Sequence, residues 1–127
     1  MDTTKEYIKM CEKAKEIQKD HEFEYGDLFQ DVMGSKAIFI PWEQNIKECP
    51  EYYRDCIWLP RQDQIQEMME IPCTVWRASS LFRKVQKFIM DYKELEPLSM
   101  EQIWLCIVMK DLYNKTWNGE DWVIARG

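Results

Sequence analysis

The stretch Ser99-Met-Glu-Gln-Ile-Trp-Leu-Cys-Ile-Val-Met-Lys-Asp-Leu-Tyr-Asn114 carries the strongest structural signal in the chain. Its first four residues have the form of a capping box, in which a Ser side chain accepts from the third helical N–H while a Gln side chain reaches back. The sequence therefore predicts a helix over residues 99–114, at the centre of the fold. The apolar residues that follow the box form a broad stripe at helical spacing: Ile103, Trp104, Ile107, Val108 and Leu112.

Three further helices are predicted outside this stretch. Residues 3–20 bring apolar side chains to one helical face. Residues 60–71 begin at Pro60, which suits the first turn of a helix because its missing N–H is not needed there, and Pro72 ends the segment. A longer helix is predicted over residues 79–93. Its inward-facing residues are expected to be Phe82, Val85, Phe88, Ile89 and Tyr92.

Short strands are predicted between the helices. Residues 22–40 have the pattern of a β-hairpin, with a bend at Gly26-Asp27, and residues 57–59 form a third strand. The predicted fold class is α+β, with a small antiparallel sheet packed against three to four helices and the C-terminal helix central.

The remaining segments have weaker signals. Residues 41–56 show no clean period and are predicted to form a loop or a short turn of helix. Asn118-Gly119 is a typical turn dipeptide, and Trp122-Val123 after it is predicted to be a last short strand.

Size and composition favour one compact domain over residues 1–127. The chain is 46% hydrophobic and has few Gly and Pro residues, so it can bury a core without disulfides. Its five cysteines are odd in number and widely spaced, which argues against a secreted disulfide framework. The chain starts without an apolar signal segment, and its longest apolar run is too short to cross a bilayer. These features predict a cytoplasmic protein that does not enter a membrane.

Three segments carry a resemblance. They read IWLPRQDQIQEM at 57–68, SMEQIWL at 99–105 with YNKTWNGEDW at 113–122, and more weakly EYIKMC at 6–11. Together they resemble small proteins of unassigned function from phages and prophages of Firmicutes. The resemblance covers less than half of the chain. It implies a phage-borne gene and an intracellular setting, and it brings no catalytic residue with it.

Candidate reactive groups are few. His21 is the single histidine, and no cysteine lies near it at the spacing of a zinc finger. Cys49 and Cys56 have six residues between them, which fits no common zinc pattern. The sequence has neither a Gly-rich phosphate loop nor a nucleophile elbow. It therefore predicts no metal, no cofactor and no enzymatic activity. A small carboxylate-dependent enzyme stays open only because 23 acidic residues make close pairs common.

Residues 20–35 carry acidic residues and no Lys or Arg, with aromatic residues between them. On a strand, these carboxylates would line one edge and complement a basic groove on another protein. The alternative is a solvated hairpin whose aromatic side chains face the core. Two Trp residues near the Asn118-Gly119 turn also suit an interface, although Trp in a small domain is more often part of the core. The predicted partner-binding residues are Asp20, Glu22, Glu24, Asp27, Asp31, Trp117 and Trp122.

Residues 77–93 have the opposite charge. Their basic residues outnumber the acidic ones. Arg83, Lys84 and Lys87 are predicted to share one helix face, which would contact nucleic acid or an acidic partner. The alternative is an ordinary solvated helix face. The net charge of −6 disfavours general coating of nucleic acid, which depends on Lys and Arg. The residues predicted for this contact are Arg77, Arg83, Lys84 and Lys87.

The sequence as a whole predicts a small phage-type binding protein that acts on another macromolecule. In its most specific form, the partner is a host defence protein that this chain inhibits. The alternatives are nucleic-acid binding through the basic helix and a small carboxylate-dependent enzyme. The oligomeric state and any small ligand are left open.

Overall fold

A computed structural model shows six helices and five short strands in the part of the chain that it describes. This confirms the predicted α+β class with a small antiparallel sheet. The described residues are 2–19, 21–31, 38–39, 47–48, 50–69, 74–91 and 98–125. The chain divides into two compact units, Thr3–Arg61 and Met1–Asp2 with Gln62–Gly127. That they form one domain stays a prediction.

The unit Thr3–Arg61 begins with two helices where the sequence predicted one. Helix α1 spans Lys5–Lys13 and helix α2 spans Lys15–Gln18. Thr4 caps α1, because its side chain accepts a hydrogen bond from the Tyr7 N–H at 3.3 Å. The predicted helix over residues 3–20 is broken at Ala14, whose φ of −82° and ψ of 69° are not helical.

Gln18 gives the physical reason for this break. Its side-chain Nε2 donates to the carbonyl of Cys11, in the last turn of α1, at 3.1 Å. The same amide donates to the Trp58 carbonyl at 2.8 Å and accepts from the Trp58 N–H at 2.9 Å. In a straight helix, the N–H and carbonyl of Trp58 would need other hydrogen-bond partners. The hydrogen bonds of Gln18 to Trp58 therefore favour a break in the helix that the periodicity of residues 3–20 predicted.

The sheet of this unit has three antiparallel strands. Strand β1 (Leu28–Gln30) lies between β2 (Ile38–Phe39) and β3 (Ile57–Leu59), and all three strands fall within the predicted ranges. Phe29 on β1 pairs with residues of both neighbouring strands. The predicted hairpin is shorter than expected, because residues 22–27 form a loop before β1 begins.

An aromatic core packs under this sheet. Helix α3 (Pro50–Arg54) supplies Tyr53, whose ring lies 5.2 Å from the ring of Phe29 in an edge-to-face arrangement. Cys56 completes this buried cluster, and Phe23 packs against it. The short helical turn that was one alternative for residues 41–56 is therefore present at α3.

The second unit has α6 at its centre. Helix α4 spans Gln62–Glu67, α5 spans Thr74–Asp91 and α6 spans Met100–Tyr113. α6 packs against both α4 and α5, which confirms its predicted central place in this part of the fold. α4 is shorter than the predicted 60–71, and α5 begins earlier than the predicted 79–93. Among the residues that the structure describes, no helix is long and apolar enough to span a bilayer.

The capping box at Ser99 is confirmed in full. The Ser99 hydroxyl accepts from the Gln102 N–H at 3.1 Å, and the Gln102 side chain accepts from the Ser99 N–H at 3.2 Å. The residues of the helix that are buried after the capping box are Trp104, Leu105, Ile107, Val108 and Met109. Leu112 departs from the prediction, since it is 48% exposed in the last turn.

Asp2 is held at the start of α6. Its side chain is buried, and its Oδ2 accepts from the Ser99 hydroxyl at 2.5 Å. Its N–H donates to the Glu101 carboxylate at 3.2 Å. A carboxylate at this position is favourable because the N-terminus of a helix carries partial positive charge.

A two-stranded sheet follows α6. Asn114 ends the helix in the left-handed conformation, with a φ of 54°. Strands β4 (Lys115–Trp117) and β5 (Trp122–Ile124) then pair in antiparallel fashion around the Asn118-Gly119 turn. Strand β5 confirms the prediction at residues 122–123, whereas its partner β4 was not predicted.

Candidate protein-interaction site

The acidic loop, residues 21–27, connects α2 to β1 and contains a tight turn. The Asp27 N–H donates to the Glu24 carbonyl at 3.1 Å, and the Asp27 carboxylate accepts from the Glu24 N–H at 2.9 Å. Gly26 has a φ of 94°, a region that favours glycine because other residues carry a Cβ. The two hydrogen bonds and this glycine fix the shape of the turn.

Asp27 is an internal residue and not an interface residue as predicted. Its side chain is 2% exposed, and Oδ2 also lies 2.8 Å from Nε2 of His21. The His21 ring stacks on Trp58 with a centroid distance of 3.4 Å and an interplanar angle of 5°. A buried carboxylate needs hydrogen-bond partners, and these contacts provide them. His21 and Asp27 therefore hold the turn in place.

Arg61 supports the turn from the end of β3. Its Nη1 donates to the Gly26 carbonyl at 2.8 Å. Tyr25 lies at the tip of the turn, where 64% of its surface is exposed. Glu22 and Glu24, which precede it in the sequence, are also exposed. The loop therefore presents an aromatic side chain accompanied by two carboxylates on a fixed backbone.

Asp31 follows β1 and is half-buried. It accepts a hydrogen bond from Tyr52, and desolvation together with this bond to a carboxylate raises the pKa of the Tyr52 phenol to about 12. The Tyr52 ring is itself 41% exposed and packs edge-on against Tyr53. Asp31 is thus tied to the aromatic core, although part of its surface still reaches solvent.

The remaining predicted partner-binding residues do not join the acidic loop. Asp20 lies outside the described residues. Trp117 and Trp122 belong to the other unit, where their ring centroids are 5.1 Å apart across β4 and β5. Trp122 is only 8% exposed, so it is a core residue and not an interface residue as predicted. Trp117 is half-buried against it.

The basic residues predicted to share a face on α5 differ in their exposure in the structure. Arg83 and Lys87 are exposed, whereas Lys84 is half-buried and its Nζ lies 2.7 Å from Oδ2 of Asp111 on α6. The prediction that these three residues share one face is wrong for Lys84, because α5 turns that position toward α6. Arg77 lies within α5, but its side chain is outside the description.

The structure also reverses part of the apolar face predicted for α5. Phe82 and Ile89 were expected to face inward, yet they are 67% and 56% exposed. Val85 and Phe88 are half-buried, and Tyr92 lies outside the described residues. The sequence gives no signal for this choice, because apolar residues occupy more than half of the helix circumference and only the position of α6 selects the inner side.

The cysteines of the described ranges are buried or half-buried. Within these ranges no group of three His, Cys, Asp or Glu side chains is placed to hold a metal ion. Cys11 and Cys56 are buried, and burial raises the pKa of the Cys106 thiol to about 12. A thiol with such a pKa is protonated at neutral pH and is a weak nucleophile. Cys49 and Cys73 lie outside the described residues.

No protein family, characterised protein or solved structure matches the chain significantly. Function is therefore inferred from the geometry of the site. Sequence reasoning located the acidic loop but missed its exposed tip, Tyr25. The Gly26-Asp27 dipeptide was the available signal, since a turn there places the preceding residue at its apex.

Proposed function

We propose that this chain is a binding protein whose acidic loop docks on a basic surface of another protein. The observation that carries the proposal is the 64% exposure of Tyr25 at the tip of a turn that Asp27 holds from inside. Tyr is among the residue types that contribute most to protein interfaces. Glu22 and Glu24, both exposed, supply the charge complementary to a basic partner.

The fixed backbone of the loop favours tight binding. Ordering a flexible loop on association costs free energy, and a loop that is already held loses less. Here the Asp27 carboxylate and the Arg61 guanidinium each bond to the backbone of the turn. The net charge of −6 adds a long-range attraction that speeds the encounter with a basic partner.

The resemblance to phage and prophage proteins supports a bacterial host protein as the partner. A host defence protein with a nucleic-acid groove offers the required basic surface, and occupying that groove would inhibit it. The loop carboxylates would then take positions that phosphates otherwise fill. This more specific form rests on the sequence resemblance alone.

A photo-crosslinking amino acid at position 25 tests the proposal. We expect it to crosslink one host protein. The same amino acid at position 113, which is also exposed, should not crosslink that protein. The captured protein is then purified, and its affinity is measured for the full chain and for three variants. Tyr25→Ala should weaken binding by about 30-fold, as the loss of an interface hot spot of about 2 kcal/mol requires.

Charge reversal provides the matched comparison. The double variant Glu22→Lys, Glu24→Lys should weaken binding and lessen its salt dependence. The control double variant Glu12→Lys, Glu120→Lys changes two other exposed acids and alters the net charge by the same amount. Equal affinities for the two double variants would show that the loop does not form the interface.

A further inference from the structure

Helix α5 carries an exposed apolar stripe along its outward face. The stripe consists of Phe82, Ile89 and Met90, which are 67%, 56% and 77% exposed, and the exposed Gln86 lies between them, one turn from each. Positions separated by seven and eight residues lie on one side of an α-helix, two turns apart. Single exposed apolar residues are ordinary, but an aligned group of large ones marks an interaction surface.

The opposite side of α5 is the side that packs inward. Lys84 bonds to Asp111 of α6 at 2.7 Å, and Leu81 and Phe88 are half-buried. These contacts fix the rotation of α5 about its axis. The outward position of the stripe is thus set by the packing against α6.

Positive charge borders the stripe on one flank. Arg83 and Lys87 are exposed and lie one turn apart. They border the stripe along the edge that Met90 forms. Between Ala78 and Met90 the sequence contains no acidic residue, and the exposed Asp91 follows at the end of the helix, one turn from Lys87. The surface is therefore an apolar strip with a basic edge.

We infer that this face binds an acidic amphipathic helix of another protein. From Phe82 to Met90 the stripe is about 12 Å long at 1.5 Å per residue, which accommodates two turns of a partner helix. Such a helix would place apolar anchors on Phe82, Ile89 and Met90, and Asp or Glu residues beside the basic edge. The flexible thioether of Met90 adapts readily to a partner surface. The inference is independent of the acidic loop, which lies in the other unit.

Other occupants fit the same face less well. Nucleic acid would satisfy Arg83 and Lys87, but its phosphates gain nothing from the apolar residues at the centre of the footprint. A second copy that paired its own α5 in antiparallel fashion would bring the basic edges of both copies together. Two such edges repel each other, which costs binding energy.

Two designed peptides on the full-length chain test this inference. Each is about 18 residues long, roughly five helical turns, with Leu on one face. They differ only in whether the residues flanking the Leu face are Glu or Lys. Anisotropy of a fluorescent label should show the Glu peptide binding at least about tenfold more tightly than the Lys peptide. Backbone amide NMR signals of residues 82–90 should shift on addition of the Glu peptide.

Reversal of the basic edge gives the decisive comparison. Arg83→Glu with Lys87→Glu should reverse the preference, so that the Lys peptide binds more tightly. The control Lys5→Glu with Lys110→Glu makes the same change of charge at exposed positions outside α5 and should keep the original preference. Met90→Gln, at a position 77% exposed, should weaken both peptides while leaving the circular dichroism spectrum unchanged.

Several results would overturn the inference. One is an equal affinity for the two peptides, or a preference that survives the reversal on α5. Another is binding of short duplex DNA or of phosphatidylglycerol vesicles that depends on Arg83 and Lys87, which would assign the face to those ligands. A concentration-dependent dimer in sedimentation that Met90→Gln abolishes would assign it to a second copy.

Discussion

The acidic loop and helix α5 look alike in the sequence but differ in the structure. Each contains a run in which charges of one sign are interspersed with aromatic or aliphatic residues, over residues 22–27 in the loop and residues 77–90 on α5. In the loop, Asp27 is buried and Phe23 packs against the aromatic core. On α5, Arg83 and Lys87 are exposed together with three large apolar side chains.

The difference arises from the backbone. A turn offers backbone N–H groups that no neighbouring strand satisfies, so a nearby carboxylate is drawn in to bond with them. The Glu24 N–H has this effect on Asp27. A helix satisfies its own interior N–H groups, so its side chains are sorted only by which side another helix covers. Charge pattern alone therefore does not tell whether a charged residue faces solvent.

Replacing one phenylalanine next to the loop and one on α5 should give the largest contrast. Phe29→Ala, next to the loop, removes a ring that is 2% exposed and should lower the free energy of unfolding by about 3–5 kcal/mol. Phe82→Ala on α5 should change it by no more than about 0.5 kcal/mol, because that ring is already largely in solvent. Urea unfolding followed by Trp fluorescence measures both. Comparable losses would mean that the α5 stripe is covered.

Asp27 should be the most important charged residue for stability in either region. Asp27→Ala leaves the Glu24 N–H and His21 Nε2 without their buried acceptor, so we expect a loss of about 2–3 kcal/mol. Glu22→Ala, at an exposed position in the same loop, serves as the control and should stay within about 0.5 kcal/mol of the parent. A difference smaller than the error of the urea titrations would contradict the internal role of Asp27.

The ion pair on α5 should contribute less. Lys84 and Asp111 have side chains that are 34% and 37% exposed, so solvent screens their attraction. Lys84→Ala should lower stability by less than about 1 kcal/mol, and added salt should reduce that loss. Lys87→Ala is the matched control and should have no measurable effect. The division of the basic face would be wrong if Lys87→Ala proved the more costly of the two.

The smallest effect concerns Tyr52 and Asp31. The pKa of Tyr52 rises from 10.0 to about 12 in the folded chain. Between these pH values an unfolded chain loses the phenol proton that the folded chain retains, so stability falls as the pH rises through this window. Tyr52→Phe should remove this part of the alkaline decline and one tyrosine step near pH 12 from an absorbance titration. Loss of a step near pH 10 instead would show that neither desolvation nor Asp31 raises the pKa of Tyr52.

Local signals predicted much of the fold. The capping box at Ser99, the turn at Asn118-Gly119 and the three strands of the first sheet all depend on residues close together in the chain, and the structure contains each of them. The break at Ala14 was not predicted, because it depends on the bond between Gln18 and Trp58, 40 residues apart.

The candidate site was only partly predictable from the sequence. The sequence located the acidic run, and Glu22 and Glu24 are exposed as the prediction requires. Asp27 was assigned to the surface because its partners could not be known before the turn was seen. Lys84 was placed with Arg83 and Lys87 because the sequence of α5 alone does not show which side of this helix packs against α6. The folded backbone therefore separates the acids and bases that hold the structure from those that face solvent, through a local turn for Asp27 and through helix packing for Lys84.

The attachment of Asp2 to the start of α6 has a consequence for the order of folding. The hydrogen bond from Ser99 to Asp2 joins residues 97 positions apart. Closing such a long segment costs chain entropy, and the cost is smaller once the intervening residues 3–61 have become compact. We therefore expect Asp2 to dock late, so that the rate-limiting barrier of refolding is crossed before Asp2 reaches the start of α6.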